Sequence, residues 1–344
     1  TYFLIAIIIL SISLQASDLR EGRGNDNSLR IMFYNTENLF DTIDSPLDDN
    51  EFLPASERHW TPKRYKKKLN SIAKVIIAGG DWEPPDIIGL CEVENQQVLN
   101  DLVSTTVLSA DSYRTLYAHS LDRRGIGVGM IYRDNLELLY TRNYYPVTSE
   151  GDSLFTRSVL FASLADKYDT LGIIISHWPS RRGGVSATDP LREILAGLIT
   201  EIIDIETSRE AGVRKIVVMG DLNCNPDSYI MSDIIKLCGS DHSLDKLCLY
   251  NLCGDNKGDQ HGSYKYQGRW NFFDQVLINN RLREAHYGYK YKEGSFRVLT
   301  NSKLLIRDNT YKGYKPNSTW RGPVYQGGYS DHLPVLFDLE LVKD

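Results

Sequence analysis

The sequence predicts an α+β protein built on mixed sheets, and three observations carry that prediction. Short β-branched apolar runs recur along the whole chain, at 29–34, 87–91, 128–132, 158–164, 170–176, 215–219, 273–278 and 335–341, and each has the length of a strand rather than a helix. Helical patterns separate some of these runs, while consecutive strand-like runs fill the middle and the end, so parallel and antiparallel neighbours must mix. No repeat of solenoid period and no interior low-complexity linker breaks residues 29–342, which read as one domain.

Taken in order, the elements justify themselves. Tyr2 to Leu14 is almost wholly apolar and Gln15-Ala16-Ser17 supplies small residues suited to cleavage, the pattern of a signal peptide over 1–17. The stretch is short for a membrane span. A basic segment should precede it, yet Thr1 comes first, so the signal peptide reads as truncated. Residues 18–28 are polar and glycine-containing, a tether. The expectation is an exported protein, whether periplasmic, secreted or surface-anchored. Residues 64–78 place Leu69, Ile72, Ala73, Ile76 and Ile77 at helical spacing, with lysines on the other face. A second helix is expected over 95–108. A third should open at Thr188-Asp189-Pro190 and run through the apolar stripe 191–205.

Composition bounds the rest. A chain of 344 residues buries enough core to fold without a disulfide or metal staple. The formal charge of -6 excludes a protein that holds nucleic acid by bulk electrostatics, although not an enzyme with a local basic lip. Of the five cysteines, Cys91 sits in an apolar run, and Cys238, Cys248 and Cys253 lie close enough in sequence for one loop disulfide. No zinc-ligand spacing accompanies them.

Polar groups gather where the strands stop. The run Ile216-Val217-Val218-Met219 ends at Gly220 and then presents Asp221 and Asn223, which extended geometry points to one side. Asn35-Thr36-Glu37 follows the first run, Glu92-Val93-Glu94 the second, and His177-Trp178-Pro179-Ser180-Arg181-Arg182 a middle one. Asp274 and then Asp331-His332 stand near the C-terminus. An oxygen set of Asn35, Glu92 and Asp331 suits a hard cation such as Mg²⁺. His177 and His332 are donors that can be charged near neutral pH, and Asp274 could fix a histidine tautomer. Singly, each has an ordinary reading: a cap at Asn35 or Glu37, solvated loop acids at Glu92 and Glu94, a surface ion pair at Asp331-His332. Six such coincidences at six strand ends favour a joint catalytic reading.

These segments resemble the endonuclease/exonuclease/phosphatase superfamily, the deoxyribonuclease-I-like metal-dependent hydrolases. They occur in the family's order and span 30–341. The resemblance implies a four-layer α/β/β/α sandwich with its site at one edge of two packed sheets. It implies that Asn35, Glu92 and Asp331 bind the metal, Mg²⁺ with Mn²⁺ or Ca²⁺ as alternatives. It further implies that His177 contacts phosphate, that Asp221 and Asn223 orient the water and stabilise the phosphoryl group, and that Asp274 and His332 form a dyad at the scissile phosphate. Cys91 stands where glutamine is common and Gln275 where histidine often follows the acid. Neither departure removes a charge or a metal ligand.

The leading expectation is an exported, monomeric nuclease with DNA or RNA as substrate and no obligate protein partner. Arg181, Arg182, Arg157 and Trp178 are its expected substrate-binding residues. The alternatives are a phosphatase or sphingomyelinase-like phosphodiesterase on a lipid or small phosphate ester, and a non-catalytic binding protein on the same fold.

Overall fold

The structure, a computed structural model, describes residues 28–80, 83–181, 183–209, 212–235, 237–238, 247–255 and 262–343. The expected signal peptide, nearly all of the tether, and Arg182 lie outside the described residues. The eight strands read from the sequence all form: β1 (Leu29–Leu39), β2 (Ile87–Val93), β4 (Gly127–Arg133), β6 (Val159–Ala165), β7 (Thr170–His177), β8 (Lys215–Asp221), β10 (Asp274–Asn279) and β13 (Val335–Val342). Five more complete the sheets: β3 (Tyr113–Ala118), β5 (Glu137–Tyr144), β9 (Leu249–Asn251), β11 (Gly288–Tyr291) and β12 (Arg297–Val298).

One sheet runs β11-β13-β1-β2-β4-β3 with β12 beside β13, and the other runs β5-β6-β7-β8-β10-β9. Each contains one parallel pair, β1 with β2 and β7 with β8. The sheets stack face to face, and alternation along each strand divides its side chains between two cores. Ile173, Ile175, Val217, Met219, Val276 and Ile278 face the other sheet. Ile174, Ile216, Val218 and Leu277 face outward, under a helix.

Helices cover both outer faces, which gives the four-layer α/β/β/α sandwich. The first, α1 (Pro62–Gly79), starts with Thr61 accepting from the Arg64 backbone N–H and Pro62 in its first turn. It buries Leu69, Ile72, Ala73, Val75 and Ile76. The second, α2 (Gln96–Ser104), is capped by Asn95 and gives way to a 3₁₀ turn at Val107–Ala110, short of the expected single helix. The third, α3 (Val185–Ser208), begins about a turn earlier than its proline suggests and carries Pro190 inside. Leu195, Ala196, Ile199 and Ile202 of α3 close the outer core.

The edge of the sandwich far from the β8 carboxyl end is pinned across the sheets. The Lys215 ammonium donates to Asp169 Oδ2 at 2.6 Å and to the Tyr289 carbonyl at 2.9 Å, and Asp169 Oδ2 also accepts the Tyr289 N–H. Cys238 and Cys248 form the expected loop disulfide, and Cys91, Cys224 and Cys253 are buried. Among the described residues no helix is long and apolar enough to cross a membrane.

Candidate active site

Strand register builds the site. In the parallel pair β7 and β8, His177 lies opposite Asp221. Both share the alternation of Ile173, Ile175, Val217 and Met219, so the pattern that buries these apolar residues between the sheets also aims His177 and Asp221 there. Asp274 follows the same rule with Val276 and Ile278, and pairs directly with Asp221 across the antiparallel β8–β10 ladder. From the facing sheet, Asn35 Nδ2 donates to Asp221 Oδ2 at 3.0 Å. Gly220 is required here, because a Cβ would sit 2.1 Å from the Ser176 carbonyl oxygen.

The centre is a relay of titratable groups. His332 Nδ1 is 2.6 Å from Asp274 Oδ2, and its Nε2 is 3.8 Å from Asp221 Oδ2. Burial alone would push the His332 imidazolium down, but the Asp274, Asp221 and Asp331 carboxylates outweigh it and hold the ring well above the usual histidine range. Burial pushes the Asp221 carboxyl up to about 7, with His332 opposing and Asp274 and Glu92 adding. His177 behaves in the opposite way. Its burial, with the Arg157 cation close by, drives it well below the usual range, so it is neutral. Asn223 donates its amide to the Trp178 carbonyl at 3.0 Å and its backbone N–H to Asp221 Oδ1 at 3.1 Å.

Around this centre the backbone itself is constrained. Glu37, Asn38, Glu92 and Asn223 all hold left-handed conformations, with φ between 48° and 58°. Such residues cost about 1–3 kcal/mol each and persist only where their surroundings fix them. Asn38 N–H is fixed by Glu92 Oε2 at 2.9 Å, and Glu37 N–H by Asn35 Oδ1 at 2.9 Å. The Glu37 carboxylate accepts from the Thr319 and Trp320 N–H groups and lies 3.9 Å from the buried Lys68 ammonium.

A hard cation fits part of this ring. Among the described residues, ligand-type atoms of Asp221, Asp274 and His332 lie within 4.8 Å of one another. That cluster is better read as a proton relay, because the His332 Nδ1 is engaged by Asp274 and a protonated imidazole has no lone pair to give a metal. The oxygen donors Asn35, Glu92 and Asp331 are the better candidates. Burial raises the Asp331 carboxyl and the like charge of Glu92 adds to it, a repulsion that a divalent cation would relieve.

The expected substrate residues need correction. Trp178 is fully buried in the outer core beneath α3, so it cannot stack on a base. Trp320 is also buried, among Phe52, Trp60 and Tyr325. Arg157 is not on a rim; it lies beneath the site, paired with Asp122 Oδ2 at 3.2 Å and donating to His177 Nε2 at 2.9 Å. Arg181 is half-buried, with Nε bonded to the Asn223 carbonyl and its guanidinium over the Phe273 ring.

Three participants escaped the sequence reading. Lys68 belongs to the lysines that the sequence places opposite the apolar stripe of residues 64–78, yet it is buried and bonded to Thr319 and Tyr329. Its place on the stripe of Ile72, Val75, Ile76 and Gly79 was the available signal. Glu37 was read only as a cap. Tyr264, whose ring stacks on His332 at 4.6 Å, gave no signal at all.

The sequence matches the Endonuclease/Exonuclease/phosphatase family over residues 30–341. It matches no curated protein. Among solved structures, an endonuclease/exonuclease/phosphatase family protein from Bacteroides thetaiotaomicron is similar at TM-score 0.58 and 15% identity, covering 93% of this chain and 100% of its own. The mannosyl-6-phosphatase of the same species is similar at 0.57 and 15%, covering 90% and 99%. D. rerio TDP2 complexed with a single-strand DNA product is similar at 0.53 and 15%, covering 92% and 100%. The family match and the site geometry agree: the chain belongs to the endonuclease/exonuclease/phosphatase family, a family of metal-dependent phosphoester hydrolases.

Proposed function

We propose that this chain is an exported, Mg²⁺-dependent phosphodiesterase acting on nucleic acid. The observation that carries the chemistry is the convergence of Asp274, His332 and Asp221 on one point between the sheets, with Asn35 and Glu92 beside it. A bound divalent ion at Asn35, Glu92 and Asp331 would supply Lewis acidity. Asp221, once ionised, orients the attacking water and takes its proton. The charged His332, held by Asp274, stabilises the negative charge that builds on the phosphoryl oxygens. The second N–H of the Asn223 amide and the neutral His177 ring complete the cradle.

Nucleic acid is favoured by Arg181 at the mouth and by the likeness to TDP2 with its single-strand DNA product. Export is supported by the apolar segment 2–14 and by the Cys238–Cys248 disulfide. A second reading, a phosphatase on a small ester, has its own support in the burial of Trp178 and Trp320 and the net charge of -6. Plasmid DNA, RNA, bis(p-nitrophenyl) phosphate, p-nitrophenyl phosphate, a sugar 6-phosphate and sphingomyelin, each with Mg²⁺ and with chelator, separate the two. Turnover of monoesters alone overturns the diesterase reading. No turnover of any substrate with any divalent ion overturns the enzyme.

A further inference from the structure

Two short hairpins stand at the rim beside the catalytic histidine. One pairs Tyr264–Tyr266 with Arg269–Asn271, and the other pairs Leu305–Arg307 with Tyr314–Pro316. The first is built into the site: Tyr264 makes a backbone bridge to His332, and Ser263 Oγ accepts the Asp274 N–H. The second is fastened to the first. Lys265 reaches Asp308 Oδ2 at 3.0 Å and the Lys312 carbonyl at 2.8 Å, and Gly268 closes on Tyr311.

What these hairpins expose is unusual for a surface. Tyr266, Tyr311 and Tyr314 are 58%, 51% and 56% exposed, on adjoining turns rather than scattered. Alternation puts Tyr266 on the same hairpin face as Tyr264, whose ring stacks on His332, so the aromatic path leads outward from the catalytic group. Charge follows the same path. Residues 264–271 and 305–316 hold Lys265, Arg269, Arg307, Lys312 and Lys315 against the single acid Asp308, in a chain whose formal charge is -6.

We propose that the paired hairpins are a binding platform for single-stranded nucleic acid, which seats bases on Tyr266, Tyr311 and Tyr314 and backbone phosphates on Arg269, Lys312 and Lys315. Every base offers a π-face to a tyrosine, so this platform is tolerant of sequence, and the cations answer the backbone. The occupant is chosen by the pairing of exposed rings, which suit stacked bases, with positive charge, which suits a phosphate backbone; an uncharged or basic peptide would not use the second. The inference rests on the diesterase reading above and supplies the stacking surface that buried Trp178 does not.

The test uses the whole protein and a triple variant, Tyr266→Ala, Tyr311→Ala and Tyr314→Ala, with its folding checked by thermal melting. Binding of fluorescein-labelled dT12 and rU12 is read by anisotropy in Ca²⁺ at two salt concentrations, beside turnover of bis(p-nitrophenyl) phosphate in Mg²⁺. The expected result is oligonucleotide affinity weakened at least tenfold, with the small diester hydrolysed at an unchanged rate. A second variant, Arg269→Ala, Lys312→Ala and Lys315→Ala, should flatten the salt dependence of binding. Equal affinity in wild type and the tyrosine variant overturns the platform and leaves the diesterase standing. Diester turnover with no oligonucleotide binding by wild type also overturns it. A wild type that fails to hydrolyse the small diester sinks the functional reading instead.

Discussion

His332 Nδ1 lies 2.6 Å from Asp274 Oδ2, and both groups are buried in the cleft between the two sheets. Among the described residues the second Asp274 oxygen has no hydrogen-bond partner, so the bond to the histidine is the one the carboxylate side chain makes there. Replacing Asp274 by Asn keeps the shape and removes the charge that holds the imidazolium. A loss of about 10²–10⁴ in kcat is expected, the range for a positioned proton-transfer group. Steady-state kinetics with bis(p-nitrophenyl) phosphate reads it, and a rate within threefold of wild type would remove the dyad from the mechanism.

The pH dependence has a definite sign. On the reading proposed above ionised Asp221 is the active form, and without metal burial holds its carboxyl up to about 7 while the His332 charge works against that rise. A divalent cation bound nearby favours the ionised form, so at saturating Mg²⁺ activity should climb with pH along an acid limb below that value. In His332→Gln the opposing cation is gone, so the residual activity should climb at higher pH than in wild type. Profiles of kcat/KM at saturating Mg²⁺ give the comparison; coincident acid limbs would show that another group sets the limb.

Metal affinity should depend on Glu92. Glu92→Gln keeps an acceptor for the Asn38 N–H but withdraws a charge from the expected cation site. Calorimetric titration of metal-free protein with Mn²⁺ should show affinity at least tenfold weaker. Unchanged affinity would move the cation elsewhere.

Gly220 tolerates no side chain. A Cβ there meets the Ser176 carbonyl oxygen, which is backbone and cannot step aside without moving β7 against β8. Gly220→Ala should cost about 1–3 kcal/mol of stability, as overpacking does, and lower kcat by displacing Asp221 from His177. Urea unfolding and activity of the folded fraction measure the two effects separately.

The pin at the opposite edge predicts stability loss without direct loss of chemistry. Asp169→Ala leaves the buried Lys215 ammonium its Tyr287 and Tyr289 carbonyl acceptors but no counter-charge, which should destabilise the fold by about 3 kcal/mol. Chemical denaturation measures this, and below the melting transition kcat should match wild type.

Much of this was legible in the chain because strands advertise themselves twice, by apolar alternation and by what stands at their ends. Asn35 and His177 sit one step beyond apolar runs, Asp221 two steps beyond, and Asp274 at the start of one, and the alternation that predicts the core also predicts where they aim. Burial of individual side chains was less legible. Trp178 follows His177 directly, so the same alternation that aims His177 between the sheets turns Trp178 to the outer core, under α3. Arg157 could be assigned to a rim because nothing local reveals Asp122, a partner 35 positions away. Lys68 shows the same difficulty, since its acceptors at Thr319 and Tyr329 are more than 250 positions distant. Long-range pairing of charges leaves no periodic trace. The paired hairpins were hard to see for a related reason: their strands are three residues each, too short for a pattern to stand out in the sequence.

The direct pairing of His177 with Asp221 has one more consequence. A slip of one residue between β7 and β8 would turn every side chain of the slipped strand to the other face, sending Ile175 or Met219 into the outer core under α3 and misdirecting the site. Assembly errors that spoil catalysis therefore also spoil burial, and the cell's ordinary surveillance of unfolded chains would remove them. Register and packing are therefore tied at this strand pair, so a preparation's active fraction should track its folded fraction.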